Sequence, residues 1–201
     1  HKTEVLKATN DMLDAYMTAF SATELNYTWY QMPKAPSIER MCAKVPDHFR
    51  FAAKLTRTMT HEVHKTNWVK EAMLFRQGIT PLLEGKRLLS VLIQLPPYFQ
   101  RTPDRRAYLA ALLDELAGLP LAVEFRHPSW VNERVFSELS RRRITLVTVD
   151  APELPYLFPR IDTVTNPGQF YLRLHGPRVP VQRPPLPVRG AQRAHLPRRP
   201  R

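Results

Sequence analysis

The chain has 201 residues, 43% of them hydrophobic and 24% charged, a globular composition that excludes wholesale disorder. Its single cysteine, Cys42, excludes an intrachain disulfide and a thiolate cluster for zinc or iron–sulfur, and fits a reducing compartment. The formal net charge of +12 looks like a nucleic-acid signal until it is located: Pro177 to Arg201 hold seven arginines and no acid, leaving 23 basic and 18 acidic side chains on residues 1–176.

The longest apolar stretch, Leu88 to Leu95, contains Ser90 and Gln94 and is far short of the roughly 20 residues of a membrane helix. No basic-then-apolar leader opens the chain, which starts at His1. A cytoplasmic protein with no membrane partner, lacking a front portion, is the expectation.

In chain order, Val5, Leu6, Met12, Leu13, Tyr16, Met17 and Phe20 make the first helical stripe. A β-prone run at 22–27 and another at 49–55 follow, with Cys42 between them in a short apolar helical stretch. Trp68, Val69, Ala72, Met73 and Phe75 repeat the stripe before a buried strand at 90–95. Pro96-Pro97 stiffens the exit of that strand, where an Xaa-Pro bond is open to the cis form. A helix is expected over 104–117 after Thr102-Pro103, then a strand at 121–126 and a helix over 132–142. Strands at 144–150 and 169–175 complete the series.

Six strands alternating with helices predict a parallel sheet, either open and doubly wound or closed into a barrel. Parallel strands are normally apolar on both faces, yet each run here gathers polar groups at its C-terminal end. On one alternation these are Glu24 with Asn26, Lys54, Gln94, Glu124 with Arg126, Thr148 with Asp150, and Arg173 with His175. Residues two apart share a face, so they are expected to converge on one space, which in a (β/α) barrel is the catalytic mouth. With six glycines in all and no Gly-rich loop after the first visible strand, a Rossmann site or P-loop is disfavoured.

The strand ends carry recognisable motifs. Glu24-Leu25-Asn26-Tyr27-Thr28-Trp29-Tyr30, Phe51-Ala52-Ala53-Lys54, Met59-Thr60-His61, Gln94-Leu95-Pro96-Pro97, Val123-Glu124-Phe125-Arg126-His127-Pro128-Ser129-Trp130 and Tyr171-Leu172-Arg173-Leu174-His175-Gly176 resemble the YecE-like family, domain of unknown function 72. The resemblance implies a TIM-barrel-like α/β fold in cytoplasmic bacterial and archaeal proteins, with no activity attached. It also implies a barrel incomplete at both ends, with about six of eight strand–helix units. The opening strand of the family is missing ahead of the first helix. Residues 1–176 are then a partial barrel domain, and 177–201 an Arg/Pro-rich tail, disordered or the product of a frameshift.

The ring of polar strand ends is the expected ligand site. Catalytic candidates are Glu24, Lys54, Glu124, Asp150 and His175; ligand-binding candidates are Asn26, Tyr30, Gln94, Arg126 and Arg173. Glu24, Glu124, Asp150 and His175 are also the candidate ligands of a divalent metal, while Lys54, Arg126 and Arg173 clamp phosphate or carboxylate. The reading is an anion-binding mouth for a phosphate-bearing small molecule or nucleic acid, with metal-assisted phosphoester hydrolysis as its chemistry. Two other classes compete. One is a sugar or sugar-acid isomerase or lyase, with Lys54 as proton shuttle or Schiff-base amine and His175 as its partner. The other is a binding protein without turnover, and a layer of ion pairs that merely closes the barrel has the same sequence signature.

Lesser signals are weighed beside these. His61-Glu62-Val63-His64 misses the spacing of a zinc helix, whose histidines lie four apart. Trp29, Tyr30, Phe125, His127 and Trp130 offer an aromatic wall, with Trp29 and Tyr30 the better stacking candidates and Trp130 a pin for its strand–helix turn.

Overall fold

The β-branched and aromatic runs become strands that lie side by side in the computed structural model, which describes residues 16–63, 67–151 and 154–175. β1 (Ala22–Leu25), β2 (Arg50–Lys54), β3 (Leu88–Gln94), β4 (Leu121–Glu124) and β5 (Thr145–Leu146) form one sheet in that order, every pairing parallel. β6 (Thr148–Asp150) and β7 (Leu172–Leu174) form a second parallel pair. Only Val147 separates β5 from β6, and its N–H donates to the Val123 carbonyl at 2.9 Å. The predicted strand at 144–150 is therefore one length of chain that pairs with β4 in its first half and with β7 in its second.

Between the strands run α1 (Tyr27–Tyr30), α2 (Ala35–Cys42), α3 (Arg57–Thr60), α4 (Trp68–Glu84), α5 (Pro103–Glu115) and α6 (Glu133–Arg141). The two helices predicted from their start signals begin as those signals require. Thr102 Oγ1 accepts from the Arg105 N–H ahead of Pro103, and the Asn132 side chain accepts from the Arg134 N–H. Of the first predicted helix residues 16–20 fall within the described residues, and 16–19 are helical. The described peptide bonds are all trans, so the cis form allowed at Pro96-Pro97 is not adopted.

The helices cover one face of the sheet. Phe51, Ala53, Leu55, Val91, Ile93, Val123 and Leu146 point into a core closed by Ile38 of α2, Phe75 and Ile79 of α4, Leu109 and Leu112 of α5, and Phe136 of α6. Period-2 alternation puts these strand residues on a single side. Burying each such large apolar side chain contributes about 1.5–3 kcal/mol.

One contact in this layer leaves no room for a methyl group. A Cβ added at Gly78 in α4 would lie 2.2 Å from the carbonyl oxygen of Pro33, a backbone atom that no rotamer change can move aside. Gly78→Ala is expected to destabilise by about 1–3 kcal/mol through overpacking, despite the roughly 1 kcal/mol that alanine gains in a helix interior. Urea titration followed by circular dichroism checks this, and a variant more stable than the parent would show that α4 does not press on Pro33.

The sheet's margins are β1 and β7, which share no hydrogen-bonded pairing among the described residues. A parallel α/β sheet is present and a closed barrel is not, within those residues. The margins meet through side chains instead: Arg173 and Tyr171 reach Glu24, and Gln169 Nε2 donates to the Leu89 carbonyl at 2.7 Å. Among the described residues no helix is long and apolar enough to cross a membrane. The Arg/Pro-rich stretch 177–201 lies outside the described residues.

Candidate functional site

The sheet face turned away from the helices begins as a small apolar layer, Leu92, Ala122 and Val147, packed by Val149 and Tyr171. One step further toward the strand ends the same alternation brings in Gln94, Glu124, Arg173 and His175. Gln94 and Glu124 are register partners on β3 and β4, so their side chains emerge next to each other.

Glu124 is the hub. Its carboxylate is fully buried, and Gln94 Nε2 donates to both of its oxygens at 2.9 and 2.8 Å. Arg126 Nε donates to Oε1 at 2.8 Å, while Arg173 Nε lies 3.2 Å from Oε2 and His175 Nε2 3.9 Å from Oε1. A buried carboxylate is tolerated when its lone pairs are taken by charged donors in this way. Arg173 also turns to the opposite margin, donating from Nη1 to Glu24 Oε2 at 2.7 Å, where the Tyr171 hydroxyl donates as well at 2.6 Å. Burial, followed by that bond to Glu24, pushes the Tyr171 hydroxyl well above its usual range. The other oxygen of Glu24, Oε1, is buried without a hydrogen-bond partner among the described residues.

Lys54 ends β2 beside this network and is not part of it. Its Nζ sits 5.2 Å from the centroid of the Trp29 ring and makes no ion pair or hydrogen bond with any described residue. The two carboxylates that act on it, Glu24 and Glu124, are engaged by Arg126, Arg173, Gln94 and Tyr171. Burial, then the charge of Arg173, pull the ammonium below the usual lysine range, against the opposing pull of Glu24 and Glu124.

His61 stands edge-on to Trp29, with ring centroids 5.0 Å apart. Its tautomer follows from its neighbours. Thr60 Oγ1 donates its one hydrogen to the Thr56 carbonyl at 3.0 Å, so at 3.0 Å from His61 Nδ1 it accepts. Nδ1 therefore carries the ring proton and Nε2 is the basic nitrogen. Burial, then the charges of Lys54 and Arg126, hold His61 below the usual histidine range, which favours the neutral ring.

The sequence-derived candidates thus divide. Glu24, Lys54, Gln94, Glu124, Arg126, Arg173 and His175 come together. Asn26 is exposed at the start of α1 with no side-chain cap bond, and Tyr30 is 72% exposed with its ring edge on Trp29. Asp150 is displaced, and this corrects the expectation that it joins Glu24 and Glu124. Val147 and Val149 face the inner layer, so Thr148 and Asp150, one residue out of phase, face the other way. A one-residue change of phase flips every side chain of a strand, and the polar residues at 148 and 150 invited the wrong phase.

The metal reading fails for a related reason. Among the described residues no three of His, Cys, Asp and Glu are grouped to hold an ion. With Asp150 turned away and both oxygens of Glu124 engaged by cationic and amide donors, the four proposed ligands do not fit a divalent metal. His64 lies outside the described residues, and His61 packs against Trp29 and Tyr98.

Tyr171 was assigned no role from sequence, although stepping back two residues from Arg173 finds it. Trp29 was expected as a stacking residue, and here it lies against Lys54 and His61. His61 carried a signal in Met59-Thr60-His61, but its partners Trp29 and Tyr98 belong to other loops. Trp130 does what the sequence suggested. It stacks on Phe125 at 4.7 Å and on Phe99 at 5.8 Å, and its Nε1 donates to the Phe99 carbonyl at 2.7 Å. Next to Glu124, a pocket of about 330 Å³ is lined by Pro97, Arg126, Val149, Phe158 and His175, among others.

A parallel α/β sheet whose strand ends gather charged side chains on one face defines the class of protein. Within that class the chain belongs to the family described as Protein of unknown function DUF72, matching it over residues 3–195. It is 28% identical to the UPF0759 protein YunF of Bacillus subtilis over 180 residues, 84% of this chain and 63% of that protein. It is 32% identical to the UPF0759 protein YecE of Escherichia coli over 122 residues, 59% of this chain and 42% of that protein. The chain thus spans less than two thirds of the length of these curated relatives. The crystal structure of a DUF72 family protein from Enterococcus faecalis is similar with a TM-score of 0.75 and 25% identity, over 83% of this chain and 70% of that one. One from Thermotoga maritima gives 0.74 and 34%, over 85% and 66%.

Proposed function

We propose that the strand ends of this chain form the mouth of a TIM-barrel-like (β/α) barrel, and that this mouth binds a small phosphate- or carboxylate-bearing molecule. The observation that carries the reading is an imbalance of charge. Among the described residues, Lys54, Arg126 and Arg173 face two carboxylates, Glu24 and Glu124, with His61 biased to neutrality. Arg173 is committed to both carboxylates. Among the described residues Arg126 is committed through Nε alone, which leaves the outer nitrogens of its guanidinium free, and Lys54 makes no ion pair or hydrogen bond.

A guanidinium fork matches the paired oxygens of phosphate and carboxylate, and in a partly buried recess the attraction is stronger than in water. The neighbouring pocket, at about 330 Å³, suits a small ligand better than a duplex. This reading does not need the metal that phosphoester hydrolysis was expected to use.

Inorganic phosphate is expected to raise the melting temperature in a concentration-dependent way, as any ligand of the native state does. Arg126→Ala should weaken that effect by about ten- to a hundredfold in phosphate concentration, the equivalent of about 1.5–3 kcal/mol for a hydrogen bond to a charged group. The same phosphate response in parent and variant would remove Arg126 from the site, and no response in either would leave the ring as architecture.

A further inference from the structure

Lys54 occupies a position that an ion-pair layer does not explain. In such a layer each cation would meet a carboxylate, yet Glu24 and Glu124 are held by the arginines, Gln94 and Tyr171, and the Lys54 amine is left above an indole ring. The same indole makes a T-shaped contact with His61, whose Nδ1–H is directed at Thr60. A lysine that pairs with no carboxylate among the described residues, beside an imidazole with a basic nitrogen and within a cluster of guanidinium groups, is an arrangement suited to amine chemistry rather than to charge neutralisation.

We propose that Lys54 is the nucleophilic amine of a carbonyl site, whose substrates are anionic aldehydes or ketones held by Arg126. The proposal rests on the anion-binding reading of the same mouth. The Nζ lone pair forms the carbon–nitrogen bond to the carbonyl carbon, and the carbon–oxygen bond breaks as the imine forms. Both hydrogens of the neutral amine leave with the carbonyl oxygen as water, so the step needs no oxidant or reductant. His61 Nε2 is the group that takes a proton from the adding amine and returns it to the departing oxygen. The pull of burial and of Arg173 on Lys54 enlarges the fraction of neutral amine near neutral pH, which is the form that attacks.

Pyridoxal 5′-phosphate, an anionic aldehyde, and pyridoxal, its uncharged counterpart, are suitable probes for the full chain. Each is incubated at low concentration and neutral pH, reduced with borohydride to fix the imine, and located by peptide mass spectrometry. Lys54 is expected to be labelled at least tenfold faster than the exposed Lys34, Lys70 and Lys86. Relative to the exposed lysines, Lys54 should prefer the phosphorylated probe about tenfold more than it prefers pyridoxal, which normalises for the hemiacetal that pyridoxal forms, and inorganic phosphate should suppress only the phosphorylated probe. His61→Gln should slow labelling by both probes, whereas Arg126→Ala should slow only the phosphorylated one.

Labelling of Lys54 no faster than of the surface lysines, in protein that phosphate stabilises against heat, would overturn the amine proposal and leave the anion site standing. Rapid labelling by both probes with equal preference over the exposed lysines, without protection by phosphate, would keep the reactive amine and overturn the anion site together with the substrate class drawn from it. Because modification is read residue by residue in the parent protein, neither outcome depends on a variant that folds poorly.

Discussion

Glu124→Ala is expected to destabilise the protein by about 3–5 kcal/mol, the range found when one partner of a buried charge network is removed. The cause is what remains after the carboxylate has gone. Arg173, with 18% of its side chain exposed, keeps only Glu24 as counter-ion, and Arg126 and Gln94 lose their acceptor. In a chain of this size the loss corresponds to a fall in melting temperature of roughly 10 °C. Glu124→Gln keeps the shape and one acceptor oxygen but removes the charge, so it should cost less than alanine while making the mouth more positive. Chemical denaturation of the three proteins, with a phosphate titration of each, checks both parts. Parent-like stability in the alanine variant would mean that the carboxylate does not hold the strand ends together.

The second large effect is expected at Trp130. This side chain is 3% exposed, stacks on both Phe125 and Phe99, and donates to the Phe99 carbonyl. Trp130→Ala opens a cavity the size of an indole and should cost about 3–5 kcal/mol. Trp130→Phe retains a stacking ring but loses the N–H bond and part of the indole volume, for about 1–3 kcal/mol. The alanine change also bears on the site, because Phe125 adjoins Arg126 and the Pro128–Trp130 turn anchors the segment that follows β4. Phosphate affinity should therefore fall in Trp130→Ala with every charged residue of the mouth intact, and the phenylalanine variant should restore it. Unchanged phosphate binding in a measurably destabilised alanine variant would separate the pin from the site.

Much of this arrangement is legible in the chain. The runs at 22–27, 49–55, 90–95 and 121–126 became β1 to β4, because apolar and β-branched residues bounded by prolines and polar turns have few alternatives to a buried parallel strand. The helix starts at Thr102-Pro103 and Asn132 were readable because capping is local. Glu124 with Arg126 and Arg173 with His175 were also correctly grouped, since i and i+2 on a strand share a face whatever the remainder of the chain does.

What the sequence could not settle is the phase of a strand whose two faces both carry polar groups, and the choice of partner among several charges. Asp150 was grouped with Glu124 on its chemistry, but the pairing of β6 with β7 and the apolar contacts of Val147 and Val149 turned it to the opposite face. Lys54 was expected as an anion clamp, as a proton shuttle or Schiff-base amine partnered by His175, or as a member of an ion-pair layer. Only the tertiary structure gives both nearby carboxylates to the arginines, with Gln94 and Tyr171, and leaves the lysine against Trp29 beside His61. Secondary structure and face are fixed by neighbours along the chain, whereas the pairing of charges depends on distances between residues up to 149 positions apart, which only the folded sheet brings within reach.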